Sequence, residues 1–292
     1  MSAVEPRLLA LLGRVWPVLP PAIACAEGLG FSWASVSTPF VHDEGDRAVA
    51  HVGVIELPLV IAGRPRLVGS IHAVCTDADR RGRGHARALL NAALAHCRDR
   101  YDTVVLTTLI PEFYARHHGF RPVTEHAFAR AVETPALSAS GRRLSTSAGD
   151  ARLLRRLSAT RTPVSERLGC LDAVTVFVFA LLLRWGDVSH AYHHAALDVV
   201  TVHEVIGRTL VLYDVMGAAI PPLPELLQAI GAEVDRVLTL FVPDRLGPGF
   251  RPEPWDGTHA QALGDTSFAP LMALGPLATG ADALLLPATA RT

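Results

Sequence analysis

The segment Val74-Cys75-Thr76-Asp77-Ala78-Asp79-Arg80-Arg81-Gly82-Arg83-Gly84-His85-Ala86 constrains the fold of this chain more than any other. The apolar run before it, residues 67–75, reads as a buried strand. Residues 86–98 then put Leu89, Leu90, Ala93, Leu94 and Cys97 on one helical face. A strand that enters a helix through a loop with two glycines aims several unpaired backbone N–H groups into a small volume at the positive end of a helix dipole. Gly82 and Gly84 let the backbone approach closely, Ala86 keeps the helix start narrow, and Arg80, Arg81, Arg83 and Arg87 add positive charge. A diphosphate suits such a place. The dinucleotide fingerprint would need glycine at 87, where arginine stands. The nucleotide-triphosphate loop needs a lysine, and all 27 basic residues of the 292 are arginine.

What fits is arginine, two residues, glycine, one residue, glycine or alanine: Arg81, Gly84, Ala86. With its flanking strand and helix, the segment resembles the GCN5-related N-acetyltransferase (GNAT) family. The resemblance implies a loop that cradles the diphosphate of acetyl-coenzyme A. The backbone of Val74, Cys75 and Thr76 would pair with the pantetheine arm, and Gly82, Arg83, Gly84, His85, Ala86 and Arg87, with Arg81, would hold the diphosphate. A second stretch, Phe113-Tyr114-Ala115-Arg116-His117-His118-Gly119-Phe120, is similar to an F-Y-x-x-x-G-F element of that family. There the tyrosine protonates the departing thiolate, which a phenol can do because its pKa lies near that of a thiol. One more residue separates Tyr114 from Gly119 here than in the family pattern, so the register of Tyr114 is a question for the structure. The likeness covers residues 45–128.

The expected fold is therefore α/β: a GNAT-type central mixed sheet flanked by helices, followed by a second, degenerate GNAT-like unit. Along the chain, an opening helix carries Leu8, Leu9, Leu11 and Leu12 and is terminated by Pro17, Pro20 and Pro21. Residues 48–61 and 67–75 form a hairpin, with Asp43-Glu44-Gly45-Asp46 as an earlier turn. A short strand at 104–109, a helix at 111–117 and a strand beginning at Gly119-Phe120 complete a first unit, residues 1–132. Residues 133–149, rich in serine, threonine, alanine and glycine, read as a linker. The second unit, 150–292, opens on a helix at 151–157 capped by Asp150. Strands are expected at 174–182, 193–205, 209–215, 234–242 and 268–274, with a helix at 222–230 and a Gly/Pro-rich excursion at 247–264. The layout is similar to the enhanced-intracellular-survival acetyltransferases, without their third, sterol-carrier-like domain. The loop at 217–222 has no basic side chain and two prolines, so the second unit is expected to wall the acceptor pocket and not to bind coenzyme A.

An attacking amine must lose a proton, and His72 and Glu56 on the central strands are candidate bases. His72 is expected on the same strand face as Val74, two residues on. In the enhanced-intracellular-survival group the C-terminal carboxylate takes this role, which puts Thr292 forward by resemblance. The polar loop at 161–167 is a place where Ser165 or Glu166 could meet an acceptor. Cys75 lacks a partner histidine placed by the sequence, which disfavours a covalent acyl carrier. The histidines at 117, 118, 190, 193, 194 and 203 lack the spacing of a metal site, and no metal is expected. The four cysteines form no CxxC pair, so reduced thiols in a cytoplasmic protein are expected. A net charge of −1 gives no reason to expect nucleic acid or membrane as a partner. The N-terminal segment reads as an amphipathic helix and not a signal peptide, and the most apolar run is half the length of a membrane span. The expected activity is transfer of an acetyl group from acetyl-CoA to the amine of a small molecule. The readings left open are a silent acetyl-CoA sensor or partner subunit, a longer acyl donor, and a peptide or protein acceptor. The amine's identity and homo-oligomerisation are open too.

Overall fold

The computed structural model describes residues 4–134, 139–262, 264, 268–277 and 283–292. In chain order the first elements are helices Pro6–Val15 (α1) and Leu19–Gly28 (α2) and strands Ser37–Glu44 (β1), Arg47–Ile61 (β2) and Arg64–Thr76 (β3). Helix His85–Arg98 (α3), strand Val104–Thr107 (β4), helix Pro111–His118 (α4), and strands Arg121–Pro122 (β5) and Glu125–Thr134 (β6) follow. Next come Arg142–Arg143 (β7), helix Ala148–Ala159 (α5), Leu168–Cys170 (β8), helix Val174–Trp185 (α6), and strands Ala191–His194 (β9), Val199–Ile206 (β10) and Thr209–Met216 (β11). Helix Leu223–Ile230 (α7), strands Val234–Thr239 (β12) and Arg251–Trp255 (β13), helix Gly257–Ala262 (α8) and strand Leu271–Leu274 (β14) complete the order. The mixed α/β class read from the sequence is the class observed. No helix among the described residues is long and apolar enough to cross a membrane.

Two mixed sheets organise these elements. The first runs β1-β2-β3-β4-β14-β5, with β8 paired to the far end of β2. The second runs β13-β6-β12-β11-β10-β9-β7. Sheet membership does not follow chain order. β6 leaves the first half to pair with β12 and β13, while β14 returns from the far end of the chain to lie between β4 and β5. One continuous apolar core, containing Leu11, Phe31, Leu57, Phe177, Leu181 and Val202, runs beneath both sheets.

Several elements differ from the sequence reading, each for a physical reason. The run expected as a strand at 174–182 is helix α6. Thr175 to Phe179 and Leu181 to Leu182 are all buried, so the helix is apolar on every side and shows no 3.6-residue period to read. The prolines expected to end α1 also start α2, whose first turn holds Pro20 and Pro21, where a missing N–H costs nothing. The single strand expected at 193–205 is a hairpin, β9 and β10, broken at Asp198, whose φ of +49° is a turn conformation. Ser147, not Asp150, caps α5: its hydroxyl accepts from the Asp150 N–H, and the Asp150 carboxylate reaches back to the Ser145 N–H. Arg142 tightens that carboxylate further and holds its pKa well below the usual range. Residues 142–143 of the expected linker form β7 on the edge of the second sheet; residues 135–138 lie outside the described residues.

Met272 in β14 is fully buried in the cluster that packs β4 against α3 and α4. Met272→Ala is expected to cost about 2–5 kcal/mol, read as a lowered urea midpoint. The second sheet holds His194 and His203 on either side of the Thr201 hydroxyl, at 2.9 Å each. Burial lowers His194 to about 4 and His203 to about 3, against about 6.5 in an unfolded chain. Between those values the unfolded state binds more protons, so stability should fall as pH drops from about 6.5 towards 4. Unfolding midpoints taken across that range, with His203→Gln giving a shallower slope, check this.

Candidate active site

The site begins where two parallel strands part. β3 and β4 share the pairs Gly69–Val104 and Ser70–Val105 and then diverge. Beyond Ser70, β3 is paired to β2 alone, on its other edge. Its ladder with β2 slips between His51 and Gly53, and Ala73 is a bulged residue with φ of +47°, a conformation that side-chain-bearing residues seldom adopt. The Ala73 carbonyl is not left bare: Nδ1 of buried His51 donates to it at 2.8 Å. The bulge also corrects the expected alignment of His72 with Val74. The extra residue puts the His72 ring against Trp33, 4.9 Å away, while Val74 packs with the Leu90–Ala93 cluster beside α3.

The loop read from sequence leaves β3 at Thr76 and enters α3 at His85. Gly82 and Gly84 have φ of +78° and +83°, and a Cβ built on either meets nothing within 4 Å. The loop is therefore an open cradle in a conformation that favours glycine, with Gly84 at the N-cap of a helix that has no side-chain cap. Its N–H groups are available to an anion, and the residues fit a diphosphate. Buried Asp77 fixes the approach, receiving Arg14 of α1 at 2.7 Å and Arg47 of β2 at 2.7 Å. Arg14 first, and Arg47 with it, hold the Asp77 carboxyl below its ordinary value. The four arginines are not alike. Arg80 is bound to Glu44 at 2.6 Å, Arg81 leans on the Thr76 carbonyl at 3.3 Å, and Arg83 and Arg87 are exposed. His85 stacks on His42 at 4.4 Å and, with Glu44, places three ligand-type atoms within 4.8 Å of one another.

A cavity of about 590 Å³ opens beside the parting strands. Ile71, His72, Ala73 and Val74 of β3 and Leu106, Thr107 and Thr108 at the end of β4 line one side. Val176, Phe179, Leu240 and Trp255, from the second half, line the other. Tyr114 of α4 is buried and faces this cavity despite the extra residue before Gly119. Burial pushes its phenol up to about 12, with a hydrogen bond to Thr108 opposing. It therefore stays protonated throughout the working range, and its match to an ordinary thiol of about 8.5 is looser than the bare residue type implies. His72 Nε2 and the Ser37 hydroxyl are hydrogen-bonded at 2.8 Å, and burial lowers the imidazole pKa well below the ordinary value. Thr292 also lies in the cavity, where its carbonyl oxygen accepts from Thr107 Oγ1 at 3.2 Å and its hydroxyl meets Ser70.

The structure thus gathers Tyr114, His72, Val74 and Thr292 around one cavity. Glu56 is elsewhere: it is exposed and accepts from the Tyr101 hydroxyl at 3.1 Å. Cys75 is buried, and its thiol is pushed up to about 12 by burial, which keeps it from being a nucleophile. Of the polar loop at 161–167, Ser165 is buried and caps the Arg167 and Leu168 N–H groups, while Glu166 pairs with Arg245. Sequence reasoning passed over Trp33, Ser37 and Gly53, which set His72. An added Cβ at Gly53 would fall 2.1 Å from His72 Nε2, so the ring lies flat across the glycine. A glycine inside a strand pattern is the signal that could have found this close approach. Gly53→Ala is expected to displace the imidazole, break its bond to Ser37 and cost about 1–3 kcal/mol. Chemical denaturation and the ring's NMR shifts check both parts.

Residues 34–123 match the family model described as an acetyltransferase (GNAT) domain. No curated protein matches the chain in sequence. Among solved structures, a probable N-acyltransferase from Enterococcus faecalis is similar at TM-score 0.56 and 13% identity, over 93% of this chain and 70% of its own. A GCN5-related N-acetyltransferase from Kribbella flavida is similar at 0.54 and 16%, over 91% and 67%. Eis1 from Mycobacterium abscessus is similar at 0.51 and 14%, over 82% and 64%. At these identities the likeness is one of fold, and this chain spans about two thirds of each of those lengths. Residues 34–123 are thus similar to the acetyltransferase (GNAT) domain, on a chain whose fold is similar to that of these structures.

Proposed function

We propose that this chain is an acyl-CoA-dependent N-acyltransferase that moves the acetyl group of acetyl-CoA to the primary amine of a small molecule. The observation that carries the reading is continuity: the open Gly82–Gly84 cradle, the unpaired edge of β3 and the cavity holding Tyr114 form one path along β3. In this reading N–H groups of the loop and the first turn of α3 hold the diphosphate, with Arg81, Arg83 and Arg87 supplying charge. The free edge around Val74, Cys75 and Thr76 pairs with the pantetheine amides and leads the thioester into the cavity. The neutral amine attacks the carbonyl carbon, the C–N bond forms as the C–S bond breaks, and a strand N–H near Val74 or Cys75 stabilises the oxyanion. Tyr114 gives its proton to the leaving thiolate. His72, which burial keeps neutral, takes the proton of the amine. Glu56 has no part in this scheme because it lies outside the cavity. A walled cavity between two halves supports a small acceptor over a peptide laid along an open groove.

Calorimetric titration of acetyl-CoA into the wild type and Gly84→Glu, with free thiol followed against an amine panel, tests the reading. Binding to the wild type, its loss in the variant, and thiol release with an amine are expected. Tyr114→Phe should lower kcat by about 10²–10⁴-fold with little change in acetyl-CoA affinity. His72→Gln should remove the acid limb of the pH–rate profile; if it does not, the proton leaves on the Thr292 side. Binding with no thiol release from any amine would instead make the chain a silent acetyl-CoA-binding module.

A further inference from the structure

The character of the cavity narrows the acceptor, given the transferase reading above. Among its described lining residues there is no aspartate or glutamate. Its charged side chains are Arg184 and Arg291. Arg291 is bound to Glu125 at 2.7 and 2.9 Å, and Arg184 donates to the Tyr213 hydroxyl at 2.9 Å. A polycationic amine would leave water here with no carboxylate side chain to receive its charges, and desolvated charge without a partner is costly.

The remaining lining is mostly apolar. Three of the chain's four tryptophans, Trp16, Trp33 and Trp255, face the cavity. The apolar lining also continues past the interior. Val18, Leu109, Ile110 and Leu183 line the cavity yet are 61%, 76%, 58% and 42% exposed, and they make up four of the seven large hydrophobic residues named as exposed among the described residues. They come from three places: the α1–α2 connection, the β4–α4 connection and α6. An apolar collar gathered from three separate elements around one mouth is a surface that water disfavours and a hydrophobic ligand covers. None of residues 77–87, which form the diphosphate cradle and its approach, lines this cavity. The collar therefore frames an entrance distinct from the cradle.

We infer that the acceptor is a lipophilic monoamine: one primary amine carried deep beside β3, on an alkyl or aryl body that lies along the tryptophan wall and ends at the collar. The same surface, with no acidic side chain among its described lining residues, disfavours polycationic acceptors such as polyamines and aminoglycosides.

The test has two independent arms. In the first, quenching of tryptophan fluorescence reports octylamine, tryptamine and spermidine binding directly, without acetyl-CoA. Saturable binding of the first two and none of spermidine is expected. In the second, thiol release from acetyl-CoA is followed against n-alkylamines from butyl to decyl. kcat/KM should rise roughly fourfold per added methylene until the body reaches the collar, with spermidine and kanamycin at background. Leu183→Glu and Ile110→Glu, both at exposed positions, should raise KM for octylamine tenfold or more while calorimetric acetyl-CoA affinity is unchanged. Turnover of spermidine or kanamycin as efficient as that of octylamine would overturn the inference. So would a preference for octanoyl-CoA in which the collar variants raise the KM of the acyl donor and leave that of the amine alone. Amine binding in the first arm with no acetyl-CoA binding would uphold the pocket's selectivity and defeat the transferase reading, so the two fail separately.

Discussion

Everything at the centre of this molecule depends on two parallel strands that stay together for two residue pairs and then separate. A strand edge opened inside a protein leaves backbone N–H and C=O groups without partners, and these must be met by side chains, water or a ligand. The structure manages the cost unevenly. On β4 the far edge is covered by β14 over its whole length, Leu271–Thr107 to Leu274–Val104. On β3 the bulge at Ala73 turns one carbonyl towards His51, which satisfies it from a buried position. What stays open lies directly between the glycine cradle and the cavity. An opening of this kind persists only when the flanking elements hold it rigidly. Asp77 provides that rigidity on one side by tying the strand exit to α1 and β2 through Arg14 and Arg47.

Charge near the cradle is more finely sorted than its sequence suggests. Four arginines within eight residues look like one basic cluster, yet Glu44 of β1 has taken Arg80, and Arg80 also meets Asp79. Glu44 lies on the same hairpin that presents His42 to His85. β1 thus sorts the guanidinium groups: Arg80 is paired, Arg83 and Arg87 are exposed, and Arg81 is steadied by the Thr76 carbonyl. Pairing Arg80 with Glu44 and Asp79 limits the self-repulsion of four guanidinium groups set so close together.

The legible parts of the chain were those with a local period or a special backbone demand. The β2–β3 hairpin, α3, the glycines at 82 and 84, α4 with Tyr114, and α7 could all be read from alternation, helical spacing or turn residues. Helix α6 could not, because a segment apolar on every side carries no contrast between faces. β1 was missed because its half-buried residues, Ser37 to Glu44, alternate weakly. The site followed the same rule. The cradle is local and was read; the cavity is assembled from α2, β3, β4, α4, α6 and the last residues of the described chain, and only the fold brings them together. Glu56 shows the limit from the other side: it sits on the right strand but at the end that faces Tyr101 and solvent.

The exchange of strands between the two sheets has a consequence for the order in which the chain can fold. β14 pairs with β4 across a separation of 164 residues, Leu271 to Thr107, and among the described residues β5 joins the first sheet through β14 alone. A ribosome that has released the cradle, Tyr114 and every other residue of the family domain has still not supplied the strand that holds β5 in place. Contacts so distant in sequence close late and slowly, since the loop entropy must be met before the pairing rewards it. The half that carries the glycine cradle and Tyr114 is synthesised first and completed last, and until residue 274 emerges the edge of β4 is an unpaired template of the kind that chaperones shield.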